Sequence, residues 1–153
     1  MRRKEREINS EEFYDLVFSG AEAIHVAFRD EPYPYCLPFN FRKVGNNIYI
    51  HCAREGKKLD LIRENPEVAF SLAIDIRVDT EKSSTYYKSV CGAGLASLVE
   101  DPVEKGAALD AIGEKYKARC QRPAPRGQID RVAIIKIAIV SLSGKRCEPS
   151  ADS

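Results

Sequence analysis

The chain lacks the features that assign proteins quickly to several large classes. Across 153 residues, Lys plus Arg number 24 and Asp plus Glu 23, for a net charge of +1. No bulk field of either sign recruits nucleic acid or an anionic membrane, and the early Arg2-Arg3-Lys4 is a local cluster only. No apolar run approaches the ~20 residues of a membrane span, and the charged N-terminus is not followed by the apolar segment of a signal peptide. These absences lead us to expect a cytoplasmic protein with neither nucleic-acid nor membrane partners. The five cysteines, Cys36, Cys52, Cys91, Cys120 and Cys147, include no C-x-x-C pair, are odd in number and are widely spaced, mostly inside apolar strand-like runs. That pattern argues against a disulfide framework and a zinc site, and predicts buried free thiols.

Catalytic signatures are missing too. There is no G-x-S-x-G and no defensible Ser-His-Asp pattern. Gly92-Ala93-Gly94-Leu95-Ala96-Ser97 approaches a dinucleotide fingerprint, but it falls inside a predicted strand and no helix opens from it. Arg54-Glu55-Gly56-Lys57-Lys58 lacks the upstream glycine and the Ser or Thr of a P-loop. The two histidines, His25 and His51, fall on different predicted strands without carboxylates at metal-ligand spacing, so no metal is expected. A chain without acid–base or nucleophilic machinery either binds a ligand passively or borrows its chemistry from a cofactor.

What is present centres on Ile48 to Lys58. Ile48, Ile50 and Cys52 share one face of an alternating strand, while Tyr49, His51 and Ala53 share the other. One face is core and the other is free to meet a ligand. Arg54, Glu55 and Gly56 turn the chain, and Lys57-Lys58-Leu59-Asp60-Leu61-Ile62 resumes at helical spacing until Asn65-Pro66. A helix N-terminus, a glycine that tolerates positive φ and two ammonium groups together suit a phosphate; a solvated helix start is the alternative.

The surrounding elements follow in order. Asn9-Ser10-Glu11-Glu12 reads as a capping box opening a helix with Phe13, Leu16 and Val17 as its apolar stripe. Strands are predicted over Ala23 to Phe28 and over Tyr33 to Phe41, the latter irregular or at an edge near Pro38. Gly45-Asn46-Asn47 is a hairpin turn into the central strand. Beyond the short helix come a strand from Glu67 to Ile76, a polar loop from Arg77 to Thr85, and a strand from Tyr86 to Val99 whose Gly92 and Gly94 mark a bend or a close backbone contact. Asp101-Pro102-Val103-Glu104 starts a helix running to about Arg119, with Val103, Ala107, Ile112 and Tyr116 among its apolar residues. Cys120 to Gln128 is a loop, and Arg131 to Leu142 is a last strand. Residues 1–146 then make one mainly β (α+β) domain, a closed or partly closed six-stranded antiparallel barrel with peripheral helices, and 147–153 a disordered tail.

Several stretches in order resemble one family. They are Tyr33-Pro34-Tyr35 with Pro38-Phe39-Asn40-Phe41, Tyr49 to Lys58, Tyr87-Lys88-Ser89-Val90 with Gly94, and Glu100-Asp101-Pro102. Together they are similar to the FMN-binding split β-barrels related to pyridoxamine 5′-phosphate oxidase, and within these to the nitroimidazole-resistance (Nim) proteins. The resemblance implies a homodimer with FMN between its subunits. It places the phosphate at Gly56, Lys57 and Lys58, with Glu55 in the same turn, and the isoalloxazine ring along Pro38, Phe39 and Asn40. His51 and Ala53 form the wall beside the ring, and Lys88, Ser89 and Val90 add contacts. Cys52 stands where such proteins often carry serine, which puts one hydroxyl contact in doubt, and the C-terminus lacks the arginine-containing ending of pyridoxamine phosphate oxidases. The implied activity is reduction of a small nitroaromatic or other electrophilic substrate by a reduced nicotinamide, with His51 as candidate proton donor. A flavin reductase with another acceptor, or a non-enzymatic flavin- or haem-binding module with His51 as ligand, are the competing possibilities.

Overall fold

The computed structural model describes residues 3–119 and 131–149. Seven strands form one antiparallel sheet: β1 (Ile24–Phe28), β2 (Tyr35–Phe39), β3 (Phe41–Val44), β4 (Asn47–Cys52), β5 (Glu67–Asp79), β6 (Ser84–Leu98) and β7 (Ala133–Cys147). The helices are α1 (Glu11–Gly20), α2 (Lys57–Glu64) and α3 (Pro102–Tyr116). Strand order is β2-β1-β5-β6-β7-β4-β3. The two edge strands, β2 and β3, are therefore consecutive in sequence and separated only by Asn40. Such a sheet must curl until its edges meet, but they meet through a covalent link and not through a hydrogen-bonded ladder.

This corrects the expected six strands. The run predicted as a single strand from Tyr33 to Phe41 divides at Asn40: its first part pairs with β1, Pro38 opposite His25, and its continuation pairs with β4, Phe41 opposite Ile50. Pro38 lies on an edge strand, where its missing N–H costs no ladder bond. Tyr116 bridges the opening: the Phe41 N–H donates to its hydroxyl (3.1 Å), which donates to the Glu22 carbonyl (2.7 Å).

Curvature comes from the glycines of β6. A Cβ at Gly92 or at Gly94 would lie 2.6 Å from a β7 carbonyl oxygen, of Ser141 and Ala138 respectively, so only glycine permits this approach. Phe70, opposite Gly92 on β5, fills the space above it. Inward residues of the curled sheet join Phe13, Val17 and Phe18 of α1 in one core, while α3 covers the outside of β4 and β7 in a second cluster of Tyr49, Ala108, Ile112 and Ile134. Leu16, Val103 and Ala107 are exposed; Tyr14, Phe18 and Ala108 are buried in their helices instead.

Three further expectations are corrected. The segment read as a loop from Arg77 to Thr85 is mostly hairpin, with Arg77 opposite Tyr86 and Asp79 opposite Ser84. The last strand continues past Leu142 because residues through Cys147 pair with β6, so Cys147 closes β7, one residue into the expected tail. Cys36, Cys52, Cys91 and Cys147 are free thiols, but Cys36 and Cys91 are exposed and the other two only half-buried, because they fall at a strand end or on the outward pleat. Cys120, the loop predicted from it to Gln128, and residues 150–153 lie outside the described residues.

Candidate functional site

The region beside the split between β2 and β4 brings most of the predicted residues together. With Phe41 opposite Ile50, the register puts Asn40 level with His51 where β2 peels away to join β1. Tyr35, Phe39 and Cys52 pack against the core there, and the Phe28 ring meets Phe39 edge-on at 6.2 Å. Pro38, Asn40, His51 and Ala53 are exposed on the surrounding surface. Burial pushes the Cys52 thiol up, the nearby Lys58 charge opposing only in part, so at neutral pH it is a neutral S–H.

From Cys52 the chain turns through residues 53–56, where Glu55 is exposed, into α2. Gly56 is the N-cap, at φ 125° and ψ 160°, a conformation essentially confined to glycine. It leaves the helix without a side-chain cap. Its carbonyl accepts from the Leu59 N–H (2.9 Å), which tightens the first turn. Lys57 and Lys58 occupy that turn, although cations are unfavourable at the positive end of a helix. An external anion would reverse the cost.

Lys57 is not free, contrary to the expectation of two available ammonium groups. Its Nζ lies 2.6 Å from Asp30 Oδ2 and 5.4 Å from the centre of the Tyr35 ring. Asp30 was not legible as a site residue, since this pairing exists only once β1, β2 and α2 have met; Tyr35 was at least part of the Tyr33-Pro34-Tyr35 signal.

Lys88, Ser89 and Val90 are elsewhere. Cys52 is opposite Ala133 and Lys88 opposite Arg146, so the two groups lie towards opposite ends of β7, roughly 40 Å of strand apart at about 3.3 Å per residue. Lys88 Nζ lies 2.6 Å from Asp75 Oδ2 and 3.6 Å from Glu148 Oε1. The Asp75 hydrogen bond holds its ammonium above the usual lysine range. The Ser89 hydroxyl donates to the Lys145 carbonyl at 3.4 Å, and the Val90 side chain is fully buried in the core.

Fold and corner together define a small antiparallel barrel, split at one seam, with an uncapped and lysine-opened helix start beside the split. The family model described as pyridoxamine 5′-phosphate oxidase matches residues 10–146, and the chain belongs to that family. Among solved structures, a proposed 5-nitroimidazole antibiotic resistance protein from Bacteroides thetaiotaomicron shares 24% identity, with a TM-score of 0.79 over 92% of this chain and 86% of that one. The flavocytochrome Anf3 from Azotobacter vinelandii (18% identity, TM-score 0.80) covers 97% of this chain and 72% of its own. The FAD and heme binding protein from Mycobacterium smegmatis (22%, TM-score 0.76) covers 97% and 76%. At these identities the likeness is one of fold. No curated protein matches the chain. No helix among the described residues is long and apolar enough to cross a membrane.

Proposed function

We propose that the protein binds FMN between two copies of the chain and uses it to reduce a small electrophilic compound, of the nitroaromatic kind, with electrons from a reduced nicotinamide. The observation that carries this reading is the start of α2, where a helix without a cap begins with two lysines. Its residues fit a terminal phosphate: Lys58 and the first-turn N–H groups would hold it, with Gly56 allowing close approach. Pro38, Phe39 and Asn40 on one side of the split, and His51, Cys52 and Ala53 on the other, would flank the ring. Bound flavin supplies the redox chemistry, storing two electrons and delivering them as hydride or singly. The chain's own contribution is to bind, orient and exclude water, and His51, exposed at the end of β4, can hold a proton for the reduced acceptor.

The dimer is supported by the separation between the α2 corner and Lys88. If both touch one flavin, they belong to different subunits. The outward faces of β5 and β6 also carry small or uncharged exposed residues, Ala69, Ser71, Ala73, Cys91 and Leu95, a surface suited to a second copy.

The absorption spectrum of the purified protein tests the reading. Flavin bands, bleached by reduced nicotinamide and restored by a nitroaromatic acceptor, are expected. In the loaded protein His51→Gln should slow re-oxidation only by acceptors that need a proton. A Soret band without flavin bands would favour the haem-binding module instead, and a protein that takes up no flavin would overturn the proposal.

A further inference from the structure

We infer that Asp30 sets how strongly the α2 corner grips a phosphate, by withdrawing Lys57 from it; this rests on the reading of the corner given above. Lys57 and Lys58 are adjacent in sequence, yet their ammonium groups occupy different places. Lys58 Nζ lies 3.8 Å from the point a Cβ on Gly56 would occupy, so its charge sits over the turn that opens the helix. Lys57 Nζ is drawn to Asp30 Oδ2, 2.6 Å away, across the face of Tyr35.

Asp30 is the fixed partner of this pair. Its other oxygen, Oδ1, accepts from the Glu31 N–H at 3.0 Å, and its side chain is 16% exposed against 56% for Lys57. A short carboxylate anchored to its own backbone holds a long, flexible ammonium stem, not the reverse. The corner therefore offers an anion one ammonium where the sequence counts two. A phosphate dianion meets Lys58 directly and competes with Asp30 for Lys57. Asp30 thereby moderates the affinity for phosphate-bearing ligands without contacting the phosphate itself, which makes it a positioning residue acting through Lys57.

The test is a set of fluorescence titrations with FMN and with riboflavin, which lacks the phosphate. The proteins are wild type, Asp30→Asn, Lys57→Ala, Asp30→Asn with Lys57→Ala, and Lys58→Ala. Asparagine keeps an amide oxygen for the Glu31 N–H but carries no charge to hold Lys57. Asp30→Asn should tighten FMN about fivefold and leave riboflavin unchanged, and the gain should vanish when Lys57 is absent. Lys58→Ala should lose more FMN affinity than Lys57→Ala, a comparison that stands even if the Asp30 variant fails to fold. An equal effect of Asp30→Asn on both ligands, a gain that persists without Lys57, or a Lys57→Ala loss as large as that of Lys58→Ala would each overturn the inference. Wild-type protein that prefers FMN leaves Asp30 to be judged on these results alone; wild-type protein that binds both ligands equally overturns the corner and the role of Asp30 together.

Discussion

The starts of α2 and α3 solve the same physical problem in opposite ways. Both follow a strand and must satisfy the free N–H groups of a first helical turn. At α3, Asp101 accepts from the Val103 and Glu104 N–H groups at 3.4 and 2.9 Å, and Pro102 pre-sets the first helical residue. Glu104 then accepts from the Tyr49 hydroxyl and from Lys136, both at 2.8 Å, fastening the helix to β4 and β7. At α2 the cap is a glycine, no side chain caps the turn, and two lysines open it, with Asp60 its one acidic residue. One helix start is finished by the protein's own side chains and the other is not. The open start is the one our proposed function uses.

The largest expected break in this contrast is Gly56→Ala. Alanine is strained at φ 125°, so stability should fall by about 2 kcal/mol and FMN binding with it. Urea unfolding and flavin titration would measure the two losses. Asp101→Ala should cost about 1 kcal/mol by removing the cap of α3, yet leave flavin affinity unchanged. A fall in flavin affinity would show that the two helix starts are not independent.

Acid should separate the two starts more gently. The Lys136 hydrogen bond, followed by that of Tyr49, holds the Glu104 carboxyl below its ordinary 4.5. A lowered folded value means that its contribution is present above 4.5 and is lost as the pH falls through the folded value. Wild-type stability should therefore decline on acidification through that window, and Glu104→Gln should reduce the slope. Unfolding midpoints measured across the acid range would check this, and an unchanged slope would remove Glu104 from the account.

Local signals were the legible ones. The Asp101 cap and the turn at Gly45 arise from residues near in sequence and were readable without the fold; the first helix is capped by Ser10, one residue later than the box from Asn9 to Glu12 implies, and Gly92 and Gly94 marked close contacts whose partners, Ser141 and Ala138, only the fold supplies. The division of one apparent strand at Asn40 was not, because it depends on which neighbour each half finds once the sheet curls. The arm beyond Ile76 was missed for another reason: Ile76, Arg77 and Val78 are all exposed, so no buried face carries a period-two pattern past Ile76. At the site, the glycine and lysines of α2 carried a chemical signal of their own, and the resemblance put Pro38–Asn40 and His51 around one ring; the register sets Asn40 level with His51, while Pro38 and Phe39 pair with β1. The capture of Lys57 by Asp30 and the distance of Lys88 from the corner are consequences of topology, with no local signature.

The central claim is that the open start of α2 holds the phosphate of a flavin. Titration of wild-type protein and of Lys57→Ala with Lys58→Ala, each against FMN and riboflavin, tests it most directly. Loss of charge-assisted hydrogen bonds predicts FMN binding weakened roughly tenfold to a hundredfold in the double variant, with riboflavin hardly affected. Equal losses for the two ligands would contradict the assignment.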